Sequence, residues 1–263
     1  MTEPTVAVVL PAAGRGSRLG GSVRKAYAEL AGVPLWRRSL NLFTALPQVV
    51  RVALAVAPED VDRFTAENGD LFAELNREGE RVLVVAGGAE RVDSVAHGIE
   101  ACGDADLIAV HDAARPLAPR EDLLAVFAAA AEQGAALLCT PIASTVKRVR
   151  DGRVVETVPR TDLWAAQTPQ VARAELMRRA FAARHAGAGS ADPPATDEAE
   201  LLERAAIPVA VVPGSARNFK ITTPADFALA EALVRTDAAP AEAGAAVAPD
   251  SRSPLARGSA ARV

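Results

Sequence analysis

Residues 6–10 read Val-Ala-Val-Val-Leu, an unbroken apolar run that stops at Pro11 and is followed by Gly14, Gly16, Gly20 and Gly21. A short valine-rich run of this kind suits a strand covered on both faces. The glycines beyond it let the backbone take positive φ and approach a ligand closely. Arg15, Arg18, Arg24 and Lys25 add positive charge, and no acid occurs between Pro11 and Ala28. Free backbone N–H groups and clustered cations at the end of a strand make a phosphate-binding loop. The chain as a whole carries a net charge of −4, so this local excess runs against its composition.

The loop is not a Walker loop, which requires Gly-x-x-x-x-Gly-Lys-Ser/Thr. It also departs from the dinucleotide fingerprint, because Leu19 stands where the third glycine should allow helix–strand packing. A dinucleotide-binding oxidoreductase is therefore disfavoured. Several cations suit a triphosphate and a transition state that gathers negative charge. The string Pro-Ala-Ala-Gly-x-Gly-x-Arg, with Lys25 seven residues later, resembles the signature loop of sugar-phosphate nucleotidyltransferases.

The rest of the chain alternates strands and helices. Pro34 to Leu46 has helical apolar spacing, with Pro at its start; Val49 to Ala57 is a second strand. Pro58-Glu59-Asp60 opens a helix that Asn68-Gly69 interrupts. Further strands are expected at Val82 to Ala86, Leu107 to Val110, Ala135 to Thr140 and Pro208 to Val212. Helices are expected around Val92 to Ile99, Pro119 to Gln133, Arg173 to Arg184 and Pro224 to Val234. Thr196 reads as an N-cap with Asp197 and Glu198 in the first turn after it. Such alternation implies βαβ units: an α/β, Rossmann-like, mostly parallel sheet flanked by helices. It breaks at residues 145–158, where Asp151-Gly152 sits between two alternating segments, a strong hairpin signal. An isolated two-stranded ribbon is marginal in water, and a second copy of the same ribbon would cover its valines. The expected organisation is one domain over residues 1–236, including a β-arm at about 144–160 that builds a homodimer. A disordered Ala/Pro/Arg-rich tail is expected over residues 237–263.

Composition excludes several function classes. A net charge of −4 speaks against a nucleic-acid surface. No stretch approaches membrane-spanning length, and the N-terminus lacks the basic region of a signal peptide. Cys102 and Cys139 fit neither a metal motif nor a disulfide framework, so reduced thiols and a cytoplasmic location are expected.

Five stretches fall at expected carboxyl ends of strands, where open α/β sheets bind ligands. They are the Gly14 loop, Gly87-Gly88, His111-Asp112-Ala113-Ala114-Arg115-Pro116, Thr140-Pro141, and Asn218-Phe219-Lys220-Ile221-Thr222. With Gln167-Thr168-Pro169-Gln170 and Thr196-Asp197-Glu198-Ala199, they resemble the 2-C-methyl-D-erythritol 4-phosphate cytidylyltransferase family of the non-mevalonate isoprenoid pathway. The resemblance implies transfer of CMP from CTP to methylerythritol phosphate, with a divalent cation such as Mg²⁺ and a homodimer. It implies catalytic roles for Arg18, Lys25 and Lys220. Pro11, Ala12, Ala13, Gly14, Gly16, Gly88 and Ser94 would bind the nucleotide, Ser94 at the polar edge of the cytosine. Asp112, Arg115, Thr145, Arg160, Thr168 and Thr196 would hold the second substrate. Asp112 would also be the metal ligand, since Mg²⁺ takes few protein ligands. His111 is a poor Mg²⁺ ligand and is assigned a structural role. Arg115 pairs with Asp112 or with substrate phosphate; Thr196 retains its reading as a cap; Arg160, following the arm, would serve the neighbouring subunit. Ribitol 5-phosphate is the alternative polyol phosphate. Two positions depart from the family's pattern: Ala89 stands where some relatives carry an acid, and Arg24 where a proline is common before the lysine.

Overall fold

The computed structural model describes residues 3–14, 24–186 and 195–238. The expected site residues Gly16 and Arg18 lie outside the described residues, as does the tail from residue 239. In chain order the elements begin with β1 (Val6–Pro11), a 3-10 turn at Lys25–Tyr27, β2 (Glu29–Leu30), β3 (Val33–Pro34), α1 (Leu35–Thr44) and β4 (Val49–Val56). A 3-10 turn at Pro58–Asp60 leads to α2 (Val61–Glu67), α3 (Gly69–Leu75), β5 (Val82–Ala86), α4 (Arg91–Glu100), β6 (Leu107–Val110) and α5 (Arg120–Gln133). The remainder comprises β7 (Ala135–Pro141), β8 (Val146–Arg150), β9 (Arg153–Val158), β10 (Trp164–Arg173), α6 (Ala174–Ala186), α7 (Glu198–Arg204), β11 (Ala210–Pro213) and α8 (Pro224–Ala238).

Seven strands form the central sheet in the order β11-β7-β10-β6-β1-β4-β5. All its pairings are parallel except those of β10, which runs antiparallel to both β6 and β7. β10 is not legible as a strand in the sequence, because residues 164–170 lack a clean alternation and contain Pro169. Its register with β7 breaks between Ala166 and Gln170.

The first apolar run does what its composition demands. Val6, Val8 and Leu10 join a core with α1, α2, α3 and α5; Ala7 and Val9 join a second core with α4, α6 and α7. All five side chains are fully buried. Burial on this scale contributes roughly 1.5–3 kcal/mol per large aliphatic side chain. α4 lies close on β1, since a Cβ on Gly98 would come within 2.3 Å of Val9 Cγ1. That contact seats the last turn of α4 on β1.

The hairpin forms as expected. Asp151 and Gly152 take φ of 49° and 74°, the conformation a tight two-residue turn between twisted strands requires. β8 and β9 form their own two-stranded sheet, and Val149, Val154 and Val155 are each more than half exposed. Asp237 and Ala238, which composition groups with the expected tail, belong to α8, and Asp237 pairs with Arg217.

Candidate active site

The carboxyl ends of β1, β4, β5 and β6 face a cavity of about 810 Å³. Pro11, Ala12, Ala13 and Gly14 line it after β1, Gly87 and Gly88 after β5, and Asp112 after β6. Lys25, Ser94 and Lys220 complete the set of expected residues on its wall. The two glycines are required by close approach. A Cβ at Gly87 would meet Ala13 Cβ at 2.7 Å and Ser94 Oγ at 2.8 Å; one at Gly88 would meet Asp93 Cβ at 2.2 Å. Ser94 is buried and doubly engaged: its hydroxyl accepts the Gly88 N–H at 3.0 Å and donates to the Glu90 carbonyl at 3.2 Å. In this structure Ser94 therefore shapes the Gly88 turn.

Asp112 is the electrostatic centre. Its backbone N–H donates to Thr168 Oγ1 at 3.1 Å. Arg91 Nε donates to one carboxylate oxygen at 3.0 Å; Lys220 Nζ reaches the other at 2.9 Å, and Arg115 Nε lies 3.7 Å from it. Burial works to raise the Asp112 carboxyl, but Arg91 and Lys220 hold it well below the usual carboxylate range. Arg91 continues outward as a fork onto both oxygens of Glu198, at 2.7 and 3.1 Å. Glu198 is fully buried. Burial pushes the Glu198 carboxyl up, and Arg91 opposes it. Burial also works against the charge on Arg91, but Glu198 and Asp112 outweigh it and hold the guanidinium cationic.

Lys220 is delivered by a loop pinned from within. Asn218, fully buried, donates to the Thr168 carbonyl at 2.7 Å and to Gln167 Oε1 at 3.2 Å. Arg115 Nη1 donates to the Asn218 carbonyl at 2.7 Å. His111 is fully buried, bonded to the Arg115 carbonyl and Thr168 and set edge-on to Phe43. Burial pushes it down to about 4, so it is neutral, in keeping with a structural role.

The remaining expected residues lie off this cavity. Thr168 is buried against Asp112 and His111, and Arg115 supports the Lys220 loop. Thr145 is exposed at the base of the arm. Arg160 spans that base within its own chain, donating to the carbonyls of Ile142 and Ala143 at 2.6 and 2.7 Å. Thr196 lines an adjoining cavity of about 360 Å³ that also touches Arg91 and Glu198. The reading of Thr196 as the N-cap is corrected: Asp197 caps α7 and accepts the Glu200 N–H, because its carboxylate sits one residue closer to the orphan amides. Thr196 instead donates its N–H and hydroxyl to the Glu200 carboxylate.

Sequence reasoning missed Arg91. A cation in the first turn of a helix opposes the macrodipole and needs an acid partner, and that is the available signal. Glu198 reads in the sequence only as a first-turn acid, whereas it is the buried partner of Arg91.

Comparison with known proteins points to one family. Residues 6–236 match the model of the 2-C-methyl-D-erythritol 4-phosphate cytidylyltransferase family. The cytidylyltransferase of that name from Solibacter usitatus is 42% identical over 247 residues, covering 89% of this chain and 97% of the relative. That of Pelotomaculum thermopropionicum is also 42% identical, covering 88% and 94%. The crystal structure of the Thermus thermophilus enzyme superposes with a TM-score of 0.71 at 33% identity, covering 89% of this chain and all of that one.

Proposed function

The chain belongs to the 2-C-methyl-D-erythritol 4-phosphate cytidylyltransferase family, and we propose that it transfers CMP from CTP to 2-C-methyl-D-erythritol 4-phosphate and releases pyrophosphate. The observation that supports this most is the single cavity shared by the Gly14 and Gly88 turns, Lys25, Lys220 and Asp112.

In that reaction a phosphate oxygen of the alcohol phosphate attacks the α-phosphorus of CTP. A new P–O bond forms, and the bond from the α-phosphorus to the bridging oxygen of the pyrophosphate breaks. Two anions must meet, and charge grows on the equatorial oxygens and the leaving group. The protein's task is positioning and fixed positive charge rather than covalent chemistry. Lys25 and Lys220 line the cavity and supply that charge, and Arg18, seven residues before Lys25 in the sequence, is assigned to add to it. Gly14 has open space beside its backbone where the nucleotide would approach, while Gly87 and Gly88 let the turn after β5 pack closely on Ala13, Ser94 and Asp93. Arg115 and Thr168 hold Asp112 and the Lys220 loop in place.

Asp112 is the residue that would hold Mg²⁺. No group of three or more His, Cys, Asp or Glu among the described residues could cage an ion. A single buried carboxylate on the cavity wall fits a cation that completes its shell with water and phosphate oxygens. The bound ion would supply charge to the triphosphate. We also assign the exposed valines of β8 and β9, with Leu163 and Trp164, to contact with a second copy of the chain. Among the described residues no helix is long and apolar enough to cross a membrane.

The test is pyrophosphate release from CTP and Mg²⁺ with either methylerythritol phosphate or ribitol 5-phosphate. Release with the first and loss on chelation are expected. Release with ribitol phosphate alone would overturn the assignment.

A further inference from the structure

Arg24 sits immediately before Lys25, and its guanidinium is shared among three acceptors. Nη1 donates to the Ala13 carbonyl at 2.8 Å, Nε donates to Asp60 Oδ2 at 2.8 Å, and Nη2 contacts Glu59. Ala13 ends the segment that follows β1; Glu59 and Asp60 belong to the turn that follows β4. β1 and β4 are neighbours in the sheet. One side chain thus ties the residue before Lys25 to the carboxyl ends of two adjacent strands, across the glycine-rich stretch. The acceptor is itself fixed: Asp60 is largely buried, and Arg63 Nη2 donates to its other oxygen at 2.8 Å. On the far side of Lys25, Tyr27 is set edge-on to Phe64 with ring centroids 5.5 Å apart. Lys25 therefore lies between two anchors, and it faces the cavity.

We propose that Arg24 is a positioning residue that sets Lys25 against the triphosphate by tying Ala13 to the Glu59-Asp60 turn. This rests on the reading of the cavity as a CTP site. A fork with three acceptors fixes direction as well as distance, which a single ammonium does not. Misplacing a charge that acts on a transferring phosphoryl group costs on the order of tenfold to a hundredfold in rate.

Asp60 makes the role testable, because it takes part in the tie without lining the cavity. The experiment measures kcat and KM for CTP in the wild type, Arg24→Ala, Asp60→Asn, the double variant and Arg24→Lys. Amide hydrogen exchange at Tyr27 and Ala28 is measured in parallel; their N–H groups close the turn onto the carbonyls of Arg24 and Lys25. The exchange readout needs no turnover, so it separates failure of the tie from failure of the CTP assignment. If Arg24 acts through the tie, Asp60→Asn loses about tenfold or more in kcat/KM, the double variant is no worse than Arg24→Ala, and both singles exchange faster at the turn. Arg24→Lys then recovers only part of the loss. Two outcomes overturn the proposal. In one, Asp60→Asn leaves kinetics and exchange unchanged while Arg24→Ala fails and Arg24→Lys restores it; Arg24 is then a direct phosphate ligand. In the other, the variants melt lower but keep wild-type kinetics and exchange at assay temperature, so the contact is support alone.

Discussion

Replacing Arg91 with methionine removes three contacts at once: two to Glu198, at 2.7 and 3.1 Å, and one to Asp112, at 3.0 Å. It leaves a carboxylate with no exposure to water. Breaking a buried ion pair from one side costs about 3–5 kcal/mol, since the remaining charge is uncompensated. For a domain of this size about 2–4 °C of melting temperature corresponds to each kcal/mol, so Arg91→Met should lower Tm by roughly 6–20 °C. Arg91→Met/Glu198→Gln removes the stranded charge and should recover most of that loss, a coupling that additive sites do not show. The deficit also depends on pH. Burial raises the Glu198 carboxyl above its usual 4.5, and without Arg91 nothing nearby on α4 opposes this. A group raised in the folded state contributes stability at low pH that is lost as pH rises past its unfolded value. The single variant should therefore sit closer to wild type at pH 5 than at pH 8 (the double should not). Turnover should not follow stability: Asp112 still lacks its Arg91 contact in the double variant, and a loss of about tenfold is expected to persist. Calorimetric melts and a pyrophosphate assay read both quantities. Equal melting of single and double variants would refute the stranded-charge argument; wild-type turnover in the double would refute the orienting role of Arg91.

Two further outcomes are expected. Tyr27 is the single tyrosine of the chain, its hydroxyl is buried without a hydrogen-bond partner, and burial together with Asp60 pushes it up to about 12. The folded protein should show no phenolate absorbance band until about that pH, whereas the urea-unfolded chain should titrate near 10; native titration near 10 would show the ring is wet. If the chain forms a homodimer in which Arg160 serves the partner's site, Arg160→Ala and Lys25→Ala proteins should each be nearly inactive, and mixed after subunit exchange in equal amounts they should restore roughly a quarter of wild-type activity. Proven exchange without recovery would confine Arg160 to the arm base, where it already binds the carbonyls of Ile142 and Ala143.

How much was legible depended on the range of the signal. β1, β4 and β6 announce themselves as short apolar runs, because strands largely buried on both faces have little polar to alternate with; β5 reads as an apolar run too, although at the sheet edge only Val82 of it is buried. The hairpin was legible because Asp151-Gly152 satisfies a local φ requirement. β10 was not, since its pairing is set by β6 and β7, far away in sequence, and its centre is turned inward by Gln167 and Thr168. Lys25, Asp112 and Lys220 could be picked out as chemistry-bearing residues at strand ends. Arg91 could not, and Arg24 was legible only as a loop cation and not as a tie, because their partners lie 107 and 36 residues away.

Those two arginines point to a constraint that any triphosphate site in an acidic chain must meet. Cations gathered on one wall repel each other until the ligand arrives, and the empty site must remain folded meanwhile. Here carboxylates stand behind the cations: Glu59 and Asp60 behind Arg24, Glu198 behind Arg91, and Asp112 between Arg91, Arg115 and Lys220. Asp60 and Glu198 lie off the main cavity wall, so they neutralise charge without meeting the substrate's phosphates. The net charge of −4 is thus compatible with an anion site, because part of the acidity is spent holding the site's own cations. It follows that removing an acid behind a cation should resemble removing the cation itself. A search for functional residues confined to the cavity lining would miss Asp60 and Glu198 for that reason.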